Sequence, residues 1–140
     1  MVLPIKPKIT YLIACNKIID VQEEDGNIYT HVVEPTVFMK FSSLPAQRSF
    51  SIAIGVTVFK SDKYELKIEF ITPSKGDRIE LRGALHFPEF KRQGASLISL
   101  AVDDYEFRVE GEYTINAYIN EELLYEQHFN VYTVGENENV

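Results

Sequence analysis

The strongest signal along the chain is a repeat of two. Phe50, Ile52, Ile54, Val56 and Val58 alternate with Ser51, Ala53, Gly55 and Thr57. An extended chain there has one apolar face and one small or polar face. After the turn-forming Lys60-Ser61-Asp62-Lys63, the residues Tyr64, Leu66, Ile68 and Phe70 point one way and Glu65, Lys67 and Glu69 the other. The short polar connection predicts that these two runs pair as a β-hairpin with one solvated face.

Other segments follow the same rule. Ile9 to Cys15 is apolar on both faces, as in a central, doubly covered strand, and Lys17 to Val21 continues or pairs with it. Glu23-Glu24-Asp25-Gly26-Asn27 predicts a turn and Ile28 to Val33 its return strand. Glu34-Pro35 stops that strand, because proline lacks an N–H and restricts the residue before it. Val37 to Phe41 resumes in extended form. A loop at Pro73-Ser74-Lys75-Gly76-Asp77 precedes a run in which Ile79, Leu81 and Leu85 alternate with Glu80, Arg82 and Ala84, ending at Phe87-Pro88.

Leu97 to Val102 reads as a further strand, with Asp103-Asp104 at an edge or turn. Gly111-Glu112 introduces Tyr113, Ile115, Ala117 and Ile119, and Asn120-Glu121-Glu122 turns the chain into a last strand, Leu123 to Val134. The apolar phase of that strand slips between Leu124 and Phe129, as a β-bulge makes it do. Helical spacing is not sustained in any window, and Lys91 to Ser96 has room for one helical turn at most. About nine or ten short strands at roughly ten-residue spacing predict an all-β fold, a two-sheet antiparallel β-sandwich. One domain spans residues 1–134, and residues 135–140 form an acidic tail.

Composition narrows the partners. The 140 residues have 45% hydrophobic and 25% charged side chains, enough for a core without metal or disulfide staples. The formal charge of -7 argues against nucleic acid and against anionic membrane surfaces, both of which attract clustered Lys and Arg. Lys75, Arg78, Arg82, Lys91 and Arg92 gather loosely and read as two exposed loops beside a strand. Cys15 is the only cysteine, so no intrachain disulfide forms. With no secretory pattern at Met1 to Pro7 and no apolar run of bilayer length, the cytoplasm is the expected location.

Candidate chemistry is sparse. Cys15 sits in an apolar strand and reads as a core residue. His31, His86 and His128 are far apart in sequence, with His86 and His128 on outward phases, and no metal site is expected. Asp20, Glu23, Glu24 and Asp25 near Gly26 lack the offsets of a calcium loop and read as an acidic hairpin turn. Nothing calls for a cofactor. Tyrosines are more informative: Tyr118 and Tyr132 fall on polar phases beside Asn116, Asn120 and Asn130, and Tyr125 lies in the same final hairpin. Rings among amides on a sheet suit a contact surface, since the ring stacks and the hydroxyl bonds. Tyr118, Tyr132, Tyr125, Asn116 and Asn130 are therefore the candidate binding residues.

Pro7-Lys8-Ile9-Thr10 running into Ala14-Cys15, the acidic hairpin, Pro73 with Gly76, Phe87-Pro88, Gly111-Glu112-Tyr113 and the terminal Phe129-Asn130-Val131 together span most of the chain. In this pattern the chain resembles an uncharacterised bacterial family of single-domain β-sandwiches of unknown function. The Gly-Glu-Tyr entry into a strand is also similar to immunoglobulin-type domains, where a tyrosine anchors a corner. Paired cysteines and a buried tryptophan, both found in antibody domains, are missing. The resemblance implies an immunoglobulin-like fold and transfers no functional residue. The expected function is a non-enzymatic binding or protein-interaction module. The alternatives are a structural subunit of a symmetric, phage-derived assembly, or a small-molecule enzyme using loop carboxylates or histidines.

Overall fold

The computed structural model describes residues 6–60, 62–74, 76–87 and 94–134. Nine strands are formed among the described residues: β1 (Lys8–Gln22), β2 (Ile28–Pro35), β3 (Phe38–Phe41), β4 (Ala46–Val58), β5 (Lys63–Ile71), β6 (Arg78–His86), β7 (Gly94–Phe107), β8 (Gly111–Ile119) and β9 (Glu122–Thr133). One sheet has the order β2-β1-β4-β7 and the other β3-β9-β8-β5-β6. All neighbours are antiparallel except β3 and β9, which run parallel. Leaving β2 aside, β1, β4 and β7 take the places of strands A, B and E of an immunoglobulin domain. Strands β9, β8 and β5 take those of G, F and C, with β6 added beyond C. The protein is an immunoglobulin-like two-sheet sandwich.

The alternation seen in the sequence becomes a dry interior. Phe50, Ile52, Ile54, Val56 and Val58 of β4 are buried against Leu66, Ile68 and Phe70 of β5 and Tyr113, Ile115, Ala117 and Ile119 of β8. Where antibody domains place a disulfide and a tryptophan, rings fill the space. Phe70 lies 5.6 Å from Phe50, 5.7 Å from Tyr113 and 6.0 Å from Phe129, centroid to centroid. Cys15 is fully buried, and burial pushes its thiol pKa up, so it packs as an inert small hydrophobe.

The expected β4–β5 hairpin is not formed. Strand β4 is flanked on both edges by β1 and β7, and β5 by β8 and β6, so the two consecutive strands belong to different sheets. Two alternating strands joined by a short polar turn can place their apolar faces side by side or opposite each other. The local pattern is the same in both cases, and pairing elsewhere chose the second. Both this crossing and the one from β7 to β8 carry the same latch. Tyr64 Oη donates to the Lys60 carbonyl at 2.7 Å, and Tyr113 Oη to the Val109 carbonyl at 2.8 Å. The second is the tyrosine corner expected from Gly111-Glu112-Tyr113, and it satisfies a hydroxyl that the core would otherwise strand.

Three further expectations change. Gly94 to Ser96 begin β7, paired with Val58 to Val56, instead of ending a helical turn. Asp103 and Asp104 are on an edge strand, as one of the two alternatives has it, but inside β7 at a register shift instead of at a turn, with Asp104 at φ 49° and its N–H bonded to Ser49 Oγ at 2.9 Å. Strands β1, β4 and β7 have 15, 13 and 14 residues, longer than the short strands expected. The turn at Asn120 and Glu121 behaves as anticipated. Both residues take positive φ, 51° and 69°, as a two-residue hairpin requires to match the strand twist. The acidic tail, Lys75, Lys91 to Gln93 and Phe87-Pro88's second residue lie outside the described residues.

Candidate functional site

The outer face of the five-stranded sheet collects most of the polar side chains that the sequence singles out, because their neighbours in the alternation are committed to the core. Registers place them in rows. Leu123, Tyr118, Lys67 and Arg82 form one row; Glu126, Asn116, Glu69 and Glu80 the next; His128, Thr114, Ile71 and Arg78 the third. Asn130 lies beyond, opposite Glu112, and Tyr132 beside Lys40 of β3.

Tyr118 is the centre of a closed network. Its hydroxyl donates to Glu69 Oε1, and the Arg78 guanidinium approaches Glu69 Oε2 at 3.1 Å. The Lys67 ammonium sits 4.1 Å from the Tyr118 ring centroid and 3.5 Å from Glu121. Arg82 bridges Glu80 at 2.7 Å and Glu121 at 3.0 Å. The hydroxyl of Tyr118 and one face of its ring are thus used inside the chain. Of the expected basic group, Arg78 and Arg82 are both engaged by carboxylates.

The hydrogen bond from Tyr118 holds the Glu69 carboxyl below its ordinary range against the opposing effect of burial, with the charges of Arg78 and Lys67 adding to it. The same bond raises the Tyr118 phenol. A carboxyl depressed in the folded state adds stability above its unfolded pKa, about 4.3, and loses it as pH falls through the folded value. Glu69→Gln is therefore expected to cost about 1.5–3 kcal/mol near pH 6 and much less near pH 3. Urea unfolding at the two pH values reads this directly, and an equal cost at both would refute the network.

A second cluster borders a cleft of about 560 Å³ lined in part by Thr72, Arg78, Asn116 and His128. His128 Nε2 lies 2.7 Å from Glu126, and its Nδ1 lies 3.0 Å from Thr114 Oγ1 and 3.3 Å from Glu112. Such a row fixes the imidazole between a hydroxyl and two carboxylates. It stands on an exposed sheet face, and the imidazole side chain is 40% exposed, so it has the character of cross-strand polar pairing. Asn116 adds a buried side-chain oxygen with no hydrogen-bond partner among the described residues. His31 is on β2 of the other sheet and His86 at the far end of β6, so the three histidines do not converge. Among the described residues no group of three or more His, Cys, Asp or Glu side chains is placed to hold a metal ion.

Tyr125 does not reach this face. The register shifts between Ala117 and Tyr118, and Tyr125 stands opposite buried Ala117 with its ring packed on the core. The bulge anticipated from the slipping phase is present, and it turns this tyrosine inward.

Tyr132 is different. At the β3 edge its ring lies 5.7 Å from that of Phe38, and the Lys40 ammonium stands 5.3 Å and 5.8 Å from the two centroids. Phe38 is 51% exposed and adjacent Val37 74%. The sequence reading missed Phe38, Val37 and Lys40. Their signal was present, since Met39 and Phe41 on the opposite phase turn inward and leave Phe38 and Lys40 outside. No helix among the described residues is long and apolar enough to cross a membrane.

No family model matches this sequence, and no curated protein matches it significantly. Among solved structures, the chain is similar to the alkylpurine DNA glycosylase AlkC of Pseudomonas fluorescens, bound to DNA containing an abasic site analog. The TM-score is 0.52 at 10% identity, covering 90% of this chain and 30% of that one. It also matches an immunoglobulin-like protein of Pseudomonas aeruginosa with TM-score 0.45 and 15% identity, over 91% of this chain and 97% of that one. The chain spans less than a third of the glycosylase, and at this identity the likeness bears on the fold alone.

Proposed function

We propose that this chain is a non-enzymatic protein-interaction module whose contact surface is the β3–β9 edge, formed by Val37, Phe38, Lys40, Asn130 and Tyr132. One observation carries the reading: two adjacent exposed rings share a cation, with an amide beside them and a four-residue edge strand beneath. Exposed aromatic side chains are among the groups enriched at protein contacts, because they bury much area with few rotatable bonds. A cytoplasmic setting fits a chain whose single thiol is buried and unreactive.

The test is co-purification of the tagged chain from its source cells, compared with Phe38→Ser and Tyr132→Ala. Each variant should lose the protein retained by the wild type while changing stability by no more than about 0.5 kcal/mol. Unchanged retention in both variants would move the function away from this edge. A large loss of stability at Tyr132 would show a structural ring instead.

A further inference from the structure

Residues 16–34 are folded but stand outside the sandwich. The ladder between β1 and β4 ends at Cys15 opposite Ser51, and between Lys17 and Gln22 the only strand paired with β1 is β2. Strand β2 has no second neighbour in the sheet. The result is a two-stranded ribbon. None of its strand residues is buried or belongs to the core cluster, and Ile28 is 68% exposed. Its side-chain hydrogen bonds are internal. Thr30 Oγ1 donates to Asp20 at 2.8 Å across the strands, and at the turn the Asn27 N–H and Tyr29 Oη donate to Asp25 at 2.8 and 2.9 Å. Among the described residues, no side-chain hydrogen bond or ion pair ties residues 16–34 to the rest of the chain.

Both ends of the ribbon are pinned. Leu12, Ala14 and Cys15 are buried before it. After it, the Thr36 N–H donates to the Ala14 carbonyl at 2.7 Å, and Met39 is buried. Between ribbon and second anchor lies a bend, where Glu34 takes φ 54°, a left-handed value uncommon outside glycine, and Pro35 follows. Opening the sandwich would wet the whole core. Opening the ribbon breaks only its own ladder and cross-strand pairs, and a two-stranded ribbon is marginal by itself in water. Charge weakens it further, since residues 16–34 hold Asp20, Glu23, Glu24, Asp25 and Glu34 against a single lysine, Lys17.

We propose that residues 16–34 are a conformational device, a ribbon that opens and recloses as one unit while the sandwich stays folded. The hinges are Asn16 and Glu34-Pro35. Because Thr36 and Met39 are held independently of the ribbon, the β3–β9 edge that follows keeps its shape in the open state. Opening frees the second half of β1 along both edges and leaves the core dry. Elements that change shape on binding are drawn from this low-stability end of a structure.

The experiment is hydrogen exchange of the full chain, read residue by residue by NMR in low concentrations of urea. The protected amides of Lys17 to Gln22 and Ile28 to Val33 should exchange at least roughly 100-fold faster than those of Ile52, Ile54 and Ile115, with little dependence on urea, because local opening exposes little surface. Salt at about 0.5 M should slow exchange in the ribbon alone, by screening its acidic residues. Ile18→Gly combined with Val32→Gly removes one facing pair. That double variant should speed ribbon exchange about tenfold or more and keep the melting temperature within about 2 °C, since the ribbon is already open when the sandwich melts. Ribbon amides that share the rate and urea dependence of the core, or a larger fall in melting temperature, would show one cooperative unit and overturn the proposal.

Discussion

Phe70→Ala is expected to cost about 3–5 kcal/mol, the largest effect of any single substitution considered for this protein. Phe70 touches rings from four other strands or loops at once: Phe50 of β4, Tyr105 of β7 at 5.0 Å, Tyr113 of β8 and Phe129 of β9. Removing it opens a cavity at the junction of the two layers, where no neighbour is free to collapse without leaving its own sheet. A domain of this size is stable by roughly 5–15 kcal/mol, so the variant retains a fraction of that and melts ~10 °C lower or more. Denaturant titration checks the value. A cost below about 1 kcal/mol would mean the rings repack freely, and the two layers would not be held by this cluster.

Gly111→Val is expected to cost roughly 2–5 kcal/mol, from backbone strain and crowding together. Gly111 adopts φ 130°, a region that side-chain-bearing residues rarely enter, and an added Cβ would lie 2.9 Å from Cβ of Pro73. The position opens β8 two residues before Tyr113, so the strain falls on the corner that carries the chain between sheets. Gly83→Val is the control. No heavy atom lies within 4 Å of the Cβ that Gly83 would gain, and its strand β6 is exposed, so a change within about 0.5 kcal/mol is expected. Thermal melts of both variants separate a site-specific demand for glycine from general intolerance of a β-branched residue. Equal melting temperatures would remove the claim.

The candidate surface was partly legible. Tyr118, Tyr132, Asn116 and Asn130 were placed on outward phases, and all four are there, because a strand's neighbours settle which way each side chain faces. What the alternation does not carry is whether an outward ring is free. Tyr118 gives its hydroxyl to Glu69 and a face to Lys67, residues 49 and 51 positions away in sequence. Tyr132 meets Phe38 across a parallel pairing that no local pattern announces. Tyr125 was misread for a related reason: the slip in phase was visible, but the strand position at which the extra residue enters was settled by β8.

By itself, the order of residues determined the strands, the side of each that is oily, the turns at Glu23 to Asn27 and Asn120-Glu121, the inert thiol of Cys15, and the Tyr113 corner. These depend on neighbours one to four positions apart, where sterics and side-chain periodicity act directly. Only the tertiary structure decided that β4 and β5 face each other across the core, that β1 and β2 run on as an uncovered ribbon, and that Phe38 and Tyr132 share one lysine. Those outcomes depend on which distant strand wins each hydrogen-bonding edge. That contest is settled by the burial of whole faces, and no short window of sequence contains it.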